Sequence, residues 1–239
     1  MDTLKFQDKG RIKMIAHRGV SGLEMENTNA AFVAAGQRSY YGIETDVHIT
    51  RDGKVIVVHD DTLERIAGLP LTVEESDYET LRAVRLKDLD GTERLDLCLP
   101  SLEEYIAICR KYEKQAILEL KNPMPKEKVW EIAEKIMEMG WLERTTFISF
   151  AGENLVYLRE KFPQADAQFL TEKCTEEDIA FMVKNGLDAD LCGYCVTLEL
   201  VERLHKLGLK VNVWTLDTLE HVQMAKAAGV DFITSNIVE

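Results

Sequence analysis

The chain has no apolar run approaching the roughly 18 residues that a membrane-spanning helix needs, so no bilayer crossing is expected. It also lacks any low-complexity tract. At 46% hydrophobic and 30% charged residues it can bury a core, which excludes a disordered chain. Positive charge is scarce, with 29 Lys and Arg against 42 Asp and Glu, for a net charge of −13. Such a chain gains nothing from counterion release, so nucleic acid is not an expected partner. An anionic small molecule would be repelled too, unless the site carries its own cations or a metal. Cysteine is sparse, five in 239 residues, and the odd number reads as reduced thiols. Together with a polar, charged start in place of an apolar leader, this predicts a cytoplasmic protein. Cys192-Gly193-Tyr194-Cys195 spells a C-x-x-C, yet no second ligand pair accompanies it, so a structural role is expected. No Gly-rich phosphate loop follows the first predicted strand, which weighs against a doubly wound open sheet.

What is present is an alternation of short β-rich runs with amphipathic stretches. Predicted strands end near His17, Val47, Lys121, Phe150, Leu170, Gly193, Thr215 and Ser235. Predicted helices cover 28–40, 101–112, 126–139, 153–161, 176–185, 198–207 and 219–228. Asn27 or Thr28 can cap the first helix and Ser101 the second, and Thr175 with Asp178 resembles a capping box. Gly140, Gly186, Gly208 and Gly229 are stop signals.

Eight β/α repeats in about 250 residues is the arithmetic of an α/β TIM barrel, here one domain over 1–239. From Lys121 onward strand ends fall about 20 to 30 residues apart, whereas Val47 and Lys121 are much farther apart. Roughly 50 surplus residues are therefore inserted after the second strand, at about 51–100. This segment holds the Arg51-Asp52-Gly53 turn, a strand over 54–59 and a highly charged stretch, and reads as a lid-like insertion. Only residues 236–239 follow the eighth strand, so the C-terminal helix is truncated. The exposed flank is then thinly covered or covered by a second copy, which makes a homo-oligomer one expectation.

In such a barrel the chemistry sits at the C-terminal ends of the strands. His17 and Arg18 end the first, directly before Gly19. Glu44 and Asp46 lie two apart on the second and so share a face, and Glu119 and Lys121 repeat that spacing on the third. Unpaired ionised groups inside a barrel would each cost several kcal/mol, so three carboxylates converging with two cations call for a ligand. A divalent ion, Mg²⁺ or Ca²⁺, suits an all-oxygen set better than zinc. Arg18 and Lys121 then suit a phosphate beside it, the former as a fork and the latter as a point charge. The bland alternative is that the five residues pair off as salt bridges. His59 ends the strand after the Asp52-Gly53 turn, from which it can reach over the mouth opposite His17. Two imidazoles flanking a phosphate suit general acid–base work near neutral pH. His48 shares the alternation of Glu44 and Asp46 and is open between hydrogen bonding and filling, while His205 and His221 read as exposed helix residues. Trp214 and Phe150, at strand ends, are either substrate-packing or core aromatics. No Ser or Cys stands where a covalent nucleophile would be expected.

These residues resemble the glycerophosphodiester phosphodiesterases. The resemblance rests on His17-Arg18-Gly19, Glu26-Asn27-Thr28, Glu44-Thr45-Asp46-Val47, Thr50-Arg51-Asp52-Gly53 and His59-Asp60, in that order. Glu119-Leu120-Lys121, Ser149-Phe150, Trp214-Thr215 and Gly229-Val230-Asp231 continue it across nearly the whole chain. It implies a TIM barrel with a small insertion after the second strand. It also implies metal-dependent hydrolysis of glycerophosphodiesters to sn-glycerol 3-phosphate and an alcohol, within lipid and glycerol metabolism. His17 and His59 match the acid–base pair, Glu44, Asp46 and Glu119 the metal ligands, and Arg18 and Lys121 the phosphate contacts. The family's substrates are thought to attack through their own glycerol 2-hydroxyl, giving a cyclic phosphate. Met25, where a proline is common, is expected to loosen its loop, and Thr234-Ser235-Asn236 lacks a common aspartate. Other readings are a lysophospholipase D acting on longer lipids, a phosphate-binding barrel without turnover, and a Schiff-base barrel using Lys121. The charge density of 74–96 speaks against an apolar lipid groove, and the intact histidine pair against a mere binding barrel.

Overall fold

The computed structural model describes residues 2–239. Each strand is a short run whose residues alternate between the barrel interior and the surrounding helices. In chain order the elements begin β1 (Lys13–Ala16), α1 (Asn29–Gly36), β2 (Gly42–Ile49), β3 (Val55–Val57), α2 (Glu64–Ala67), α3 (Tyr78–Arg82) and α4 (Leu102–Lys111). They continue with β4 (Gln115–Leu120), α5 (Lys126–Glu138), β5 (Thr145–Ser149), α6 (Gly152–Lys161), β6 (Asp166–Thr171) and α7 (Glu176–Asn185). The chain ends through β7 (Asp188–Cys192), α8 (Leu198–Lys206), β8 (Val211–Trp214), α9 (Leu219–Ala228) and β9 (Phe232–Ser235). The parallel strands pair in the cyclic order β1-β2-β4-β5-β6-β7-β8-β9, and β9 returns to β1. This is the expected closed TIM barrel, and ring closure excludes the doubly wound sheet. The expected helices all form, and the expected strand ends fall within about two residues of the observed ones.

Capping explains that agreement. Thr28, not Asn27, caps α1, its hydroxyl accepting from the Ala31 N–H. Ser101 with Glu104 and Thr175 with Asp178 form complete capping boxes. Gly186 and Gly229 end α7 and α9 in the left-handed conformation.

Two apolar layers position the site. Outward residues of the strands, such as Ala116, Leu118, Leu120, Phe147, Ala189 and Leu191, pack under the helices. Inside the ring, Ile15, Ile117, Ile148 and Leu170 form an apolar plug on which the polar residues of the mouth rest. β3 pairs antiparallel with β2, matching Val47 with Val57, so the hairpin rises from the strand that carries Glu44 and Asp46. Beyond it, Ile56, Leu63, Val73, Leu81, Leu86 and Leu97 give the insertion a small core of its own.

Three local features differ from expectation. Met25 does not loosen its loop: it is buried in the insertion's core, and its carbonyl accepts from the Thr28 hydroxyl. No helix follows β9, but the chain's own start covers the place. Leu4 and Phe6 donate to the carbonyls of Ile237 and Glu239, and Val238 is fully buried. His205 is half-buried and paired with Asp231 at 2.8 Å, because the end of α8 lies against the start of β9, while His221 is exposed as expected.

Candidate active site

The three acidic residues converge. Glu44, Asp46 and Glu119 are all buried, and each offers a carboxylate oxygen within 4.8 Å of the others. Register does this, since β2 and β4 run parallel with Asp46 beside Glu119 and Glu44 one step below. Lys121 places its ammonium 2.8 Å from Glu119 Oε1 and 3.5 Å from Asp46 Oδ1.

His17 and Arg18 reach the same point through a turn that needs its sequence. Gly19 has φ +78°, and a Cβ there would lie 2.6 Å from the Ala31 Cβ, so only glycine fits. Arg18 itself is left-handed, at φ 51°, and its N–H donates to Glu44 Oε2 at 2.7 Å. The Arg18 guanidinium donates to Glu26 at 2.8 Å and comes within 3.6 Å of Asp46. Arg65, from the insertion, grips both Glu26 and Asp60, which ties the insertion to the β1 turn. His17, Arg18, Glu44, His59, Glu119, Lys121 and Trp214 line one cavity, so all the expected site residues except the fully buried Asp46 face a common space. Its other wall is Ile148, Phe150 and Leu170, and Phe150 meets Trp214 edge-on at 5.7 Å.

Several supporting residues escaped sequence reasoning. Asn27 donates to Asp46 Oδ2 at 2.8 Å while accepting from Thr45, which fixes one metal-type carboxylate. Asn236 Oδ1 lies 2.7 Å from His17 Nδ1, and its amide donates to Asp217 at 2.6 Å. Asp60 Oδ1 lies 2.7 Å from His59 Nδ1. His48 proves to be a hydrogen-bonding residue: it is fully buried between Glu74 and the His59 carbonyl, and steadies the backbone that carries His59. Asp190 faces the cavity from β7 and is 1% exposed. The one available signal for Asp190 was its place in an inward alternation like that of Glu44 and Asp46. The amides gave none, because their roles depend on partners distant in sequence. Cys192 and Cys195 are free thiols, and Cys195 donates to the Cys192 carbonyl, a local structural contact.

Electrostatics mark the cluster as incomplete. Burial and the neighbouring Asp46 raise Glu44 well above the carboxylate range, and the same two causes push Glu119 up to about 8. Burial would raise Asp46 as well, but Lys121 and Arg18 hold it low. Burial and then the Arg18 charge lower His17 to about 4. His59 is also lowered, chiefly by burial, with Arg18 and Lys121 opposing Asp46. Asp46 Oδ1 and Glu119 Oε1 are enclosed and share the single Lys121 ammonium, at 3.5 and 2.8 Å, with no other donor among the described residues. Crowded carboxylates with unused lone pairs, all oxygen donors, fit a hard divalent cation.

Comparison with known proteins agrees with this arrangement. Residues 17–239 match the glycerophosphoryl diester phosphodiesterase family. A glycerophosphodiester phosphodiesterase from Bacillus altitudinis is 28% identical over 92% of this chain and 93% of its own. One from Caldanaerobacter subterraneus is also 28% identical, over 93% of each chain. Among solved structures, a phosphodiesterase from Oleispira antarctica, in complex with the product sn-glycerol 3-phosphate, superposes with a TM-score of 0.84. It is 22% identical and covers 94% of this chain and 92% of that one. At that identity the likeness shows the fold.

Proposed function

Because this chain belongs to the glycerophosphoryl diester phosphodiesterase family, we propose that it hydrolyses glycerophosphodiesters to sn-glycerol 3-phosphate and an alcohol. The observation that carries this reading is the cluster of Glu44, Asp46 and Glu119 at a cavity that Glu44 and Glu119 line with two histidines and two cationic side chains. Glu44, Asp46 and Glu119 would hold a divalent ion, Mg²⁺ or Ca²⁺, which when bound supplies Lewis-acid stabilisation of the charge on phosphate oxygens.

The chain's own residues do the rest. Arg18 and Lys121 attract the phosphate against a net charge of −13 and neutralise charge gathering on its oxygens. Asp60 on His59 Nδ1 fixes the tautomer that leaves Nε2 free to accept a proton, and then stabilises the imidazolium. His59 is therefore the base for the attacking oxygen, either water directly or the substrate's own glycerol hydroxyl, in which case water opens the resulting cyclic phosphate in a second attack. His17, its Nδ1–H held by the Asn236 side-chain carbonyl, carries an Nε2 proton only as the imidazolium, and in that form gives it to the departing alcohol oxygen as the P–O bond breaks. Burial disfavours a protonated His17 in the free site, and the negative charge of bound phosphate works the other way. No serine or cysteine lines the cavity among the described residues, which supports direct attack over a covalent enzyme intermediate. Trp214 and Phe150 pack on the substrate's carbon atoms. The insertion at about 51–100 serves as a lid-like wall that presents His59, all within a single domain over 1–239. The five free thiols support a cytoplasmic location.

The direct test is release of sn-glycerol 3-phosphate from glycerophosphocholine with and without chelator. Chelation abolishes release and added Mg²⁺ or Ca²⁺ restores it. Release that persists after exhaustive chelation removes the metal from the reaction.

A further inference from the structure

We propose that Asp190 forms the floor of a glycerol subsite, its buried carboxyl hydrogen-bonding a hydroxyl of the substrate's glycerol moiety. The inference rests on the function proposed above and says which part of the substrate is recognised and by what.

The side chain is placed, and its carboxyl is only partly satisfied by the protein. Its neighbours Ala189 and Leu191 pack outward under the helices, so Asp190 points into the ring. In the ring order β7 stands diametrically across from β2, the strand of Glu44 and Asp46. Asp190 is 1% exposed and borders the cavity, and its Oδ1 is enclosed without a hydrogen bond among the described residues. Asn212, its register partner on β8, uses Oδ1 for the Val213 N–H and the Thr234 hydroxyl and one amide hydrogen for Gln168; its second N–H remains for the Asp190 carboxyl, which still has unused acceptor capacity. Trp214 directs its indole N–H to the Asp190 backbone carbonyl, not to the carboxyl. A buried acceptor left unmade is costly, and native structures keep such groups where a ligand or water completes them.

The surroundings select the ligand. Phosphate belongs to the charged wall formed by Arg18, Lys121 and the acidic cluster. Between that wall and Asp190 lie Ile148, Leu170 and Trp214, which suit carbon atoms. A ligand that carries phosphate at one end, a short carbon chain, and an oxygen at the other matches this sequence of surfaces, as a glycerol phosphate does. Burial, with the charge of Glu119 adding to it, raises the Asp190 carboxyl well above its usual range, so it can donate as well as accept. A quaternary ammonium needs an ionised carboxylate and an open aromatic cage, and Asp190 offers neither.

The test compares binding of sn-glycerol 3-phosphate, phosphocholine and inorganic phosphate to the wild type, Asp190→Leu and Asp190→Asn by calorimetry in Mg²⁺ buffer, with thermal melts as the folding control. Asp190→Leu should weaken sn-glycerol 3-phosphate roughly tenfold, the scale of one hydrogen bond, and leave phosphate and phosphocholine unchanged. Asp190→Asn, which keeps a hydrogen-bonding end, should recover most of the loss. If Asp190→Leu weakens all three ligands equally, binds sn-glycerol 3-phosphate as well as the wild type, or loses phosphocholine selectively, the inference is overturned. If Asp190→Leu does not fold, Asp190→Ala decides by the same comparison: a loss confined to sn-glycerol 3-phosphate upholds the inference, and an unchanged preference for it over phosphate contradicts it. Failure of the wild type to prefer sn-glycerol 3-phosphate over phosphate would instead strike at the proposed function itself.

Discussion

At the scale of single residues, the charged groups and histidines that meet at the cavity were visible in the sequence and the groups that hold them were not. Charged residues and histidines at strand ends announce themselves, because burying them without purpose is expensive. Asn236 does not. It is an ordinary amide until the fold brings it, across 219 positions, to 2.7 Å from His17 Nδ1. Replacing either histidine tests the acid–base assignment: His17→Ala and His59→Ala should each lower turnover by at least about 10²-fold. Near-normal rates in both would remove them from the mechanism. Asn236→Leu should lower kcat well beyond its effect on KM, because the phosphate contacts stay intact while His17 loses its orientation. The ¹⁵N shifts of the His17 ring provide the independent readout, and an unchanged tautomer in the variant would contradict a positioning role.

At the scale of elements, strands and long helices were legible because periodicity, caps and glycine stops agree with one another. The insertion was legible as surplus length. Its two short helices, α2 and α3, were not, since four or five residues are too few to show a period. Nor did sequence show how firmly the insertion is tied down: Arg65 bridges Glu26 and Asp60, and Met25 joins its core. The turn after β1 is tight, and it gives a stability prediction. Gly19→Ala meets the Ala31 side chain and backbone at 2.6–2.9 Å and also demands a left-handed alanine. Overpacking of this kind costs about 1–3 kcal/mol, and the positive φ adds to it. A melting temperature equal to that of the wild type would show that the turn relaxes freely. Because the same turn sets the Arg18 N–H on Glu44, turnover should fall along with stability.

At the scale of the whole molecule, the excess of negative charge and its pairing set the response to pH. Glu239 accepts from Thr3, Lys5 and Ser39 and is lowered to about 2, and Asp60, held by Arg65 and His59, is also lowered to about 2. Both carboxyls therefore bind protons less readily folded than unfolded. Their stabilisation is complete above the ordinary carboxylate pKa of roughly 4 and is lost as pH falls from there toward 2. Denaturant midpoints should fall across that window, and Glu239→Gln should flatten the fall. A midpoint independent of pH from 5 to about 2.5 would contradict the assignment. The covering of the segment after β9 by Leu4 and Phe6 was a global feature the sequence did not suggest, because the contact of Leu4 with Val238 depends on tertiary placement alone.

The central claim is that Glu44, Asp46 and Glu119 form one cation site on which turnover depends. Its most direct measurement is metal content after dialysis against limiting Ca²⁺, taken alongside glycerophosphocholine turnover, for the wild type and for Glu119→Gln. The wild type should retain a single ion per chain and be active, and the variant should lose both. A folded Glu119→Gln protein that keeps the ion and the activity would contradict the account.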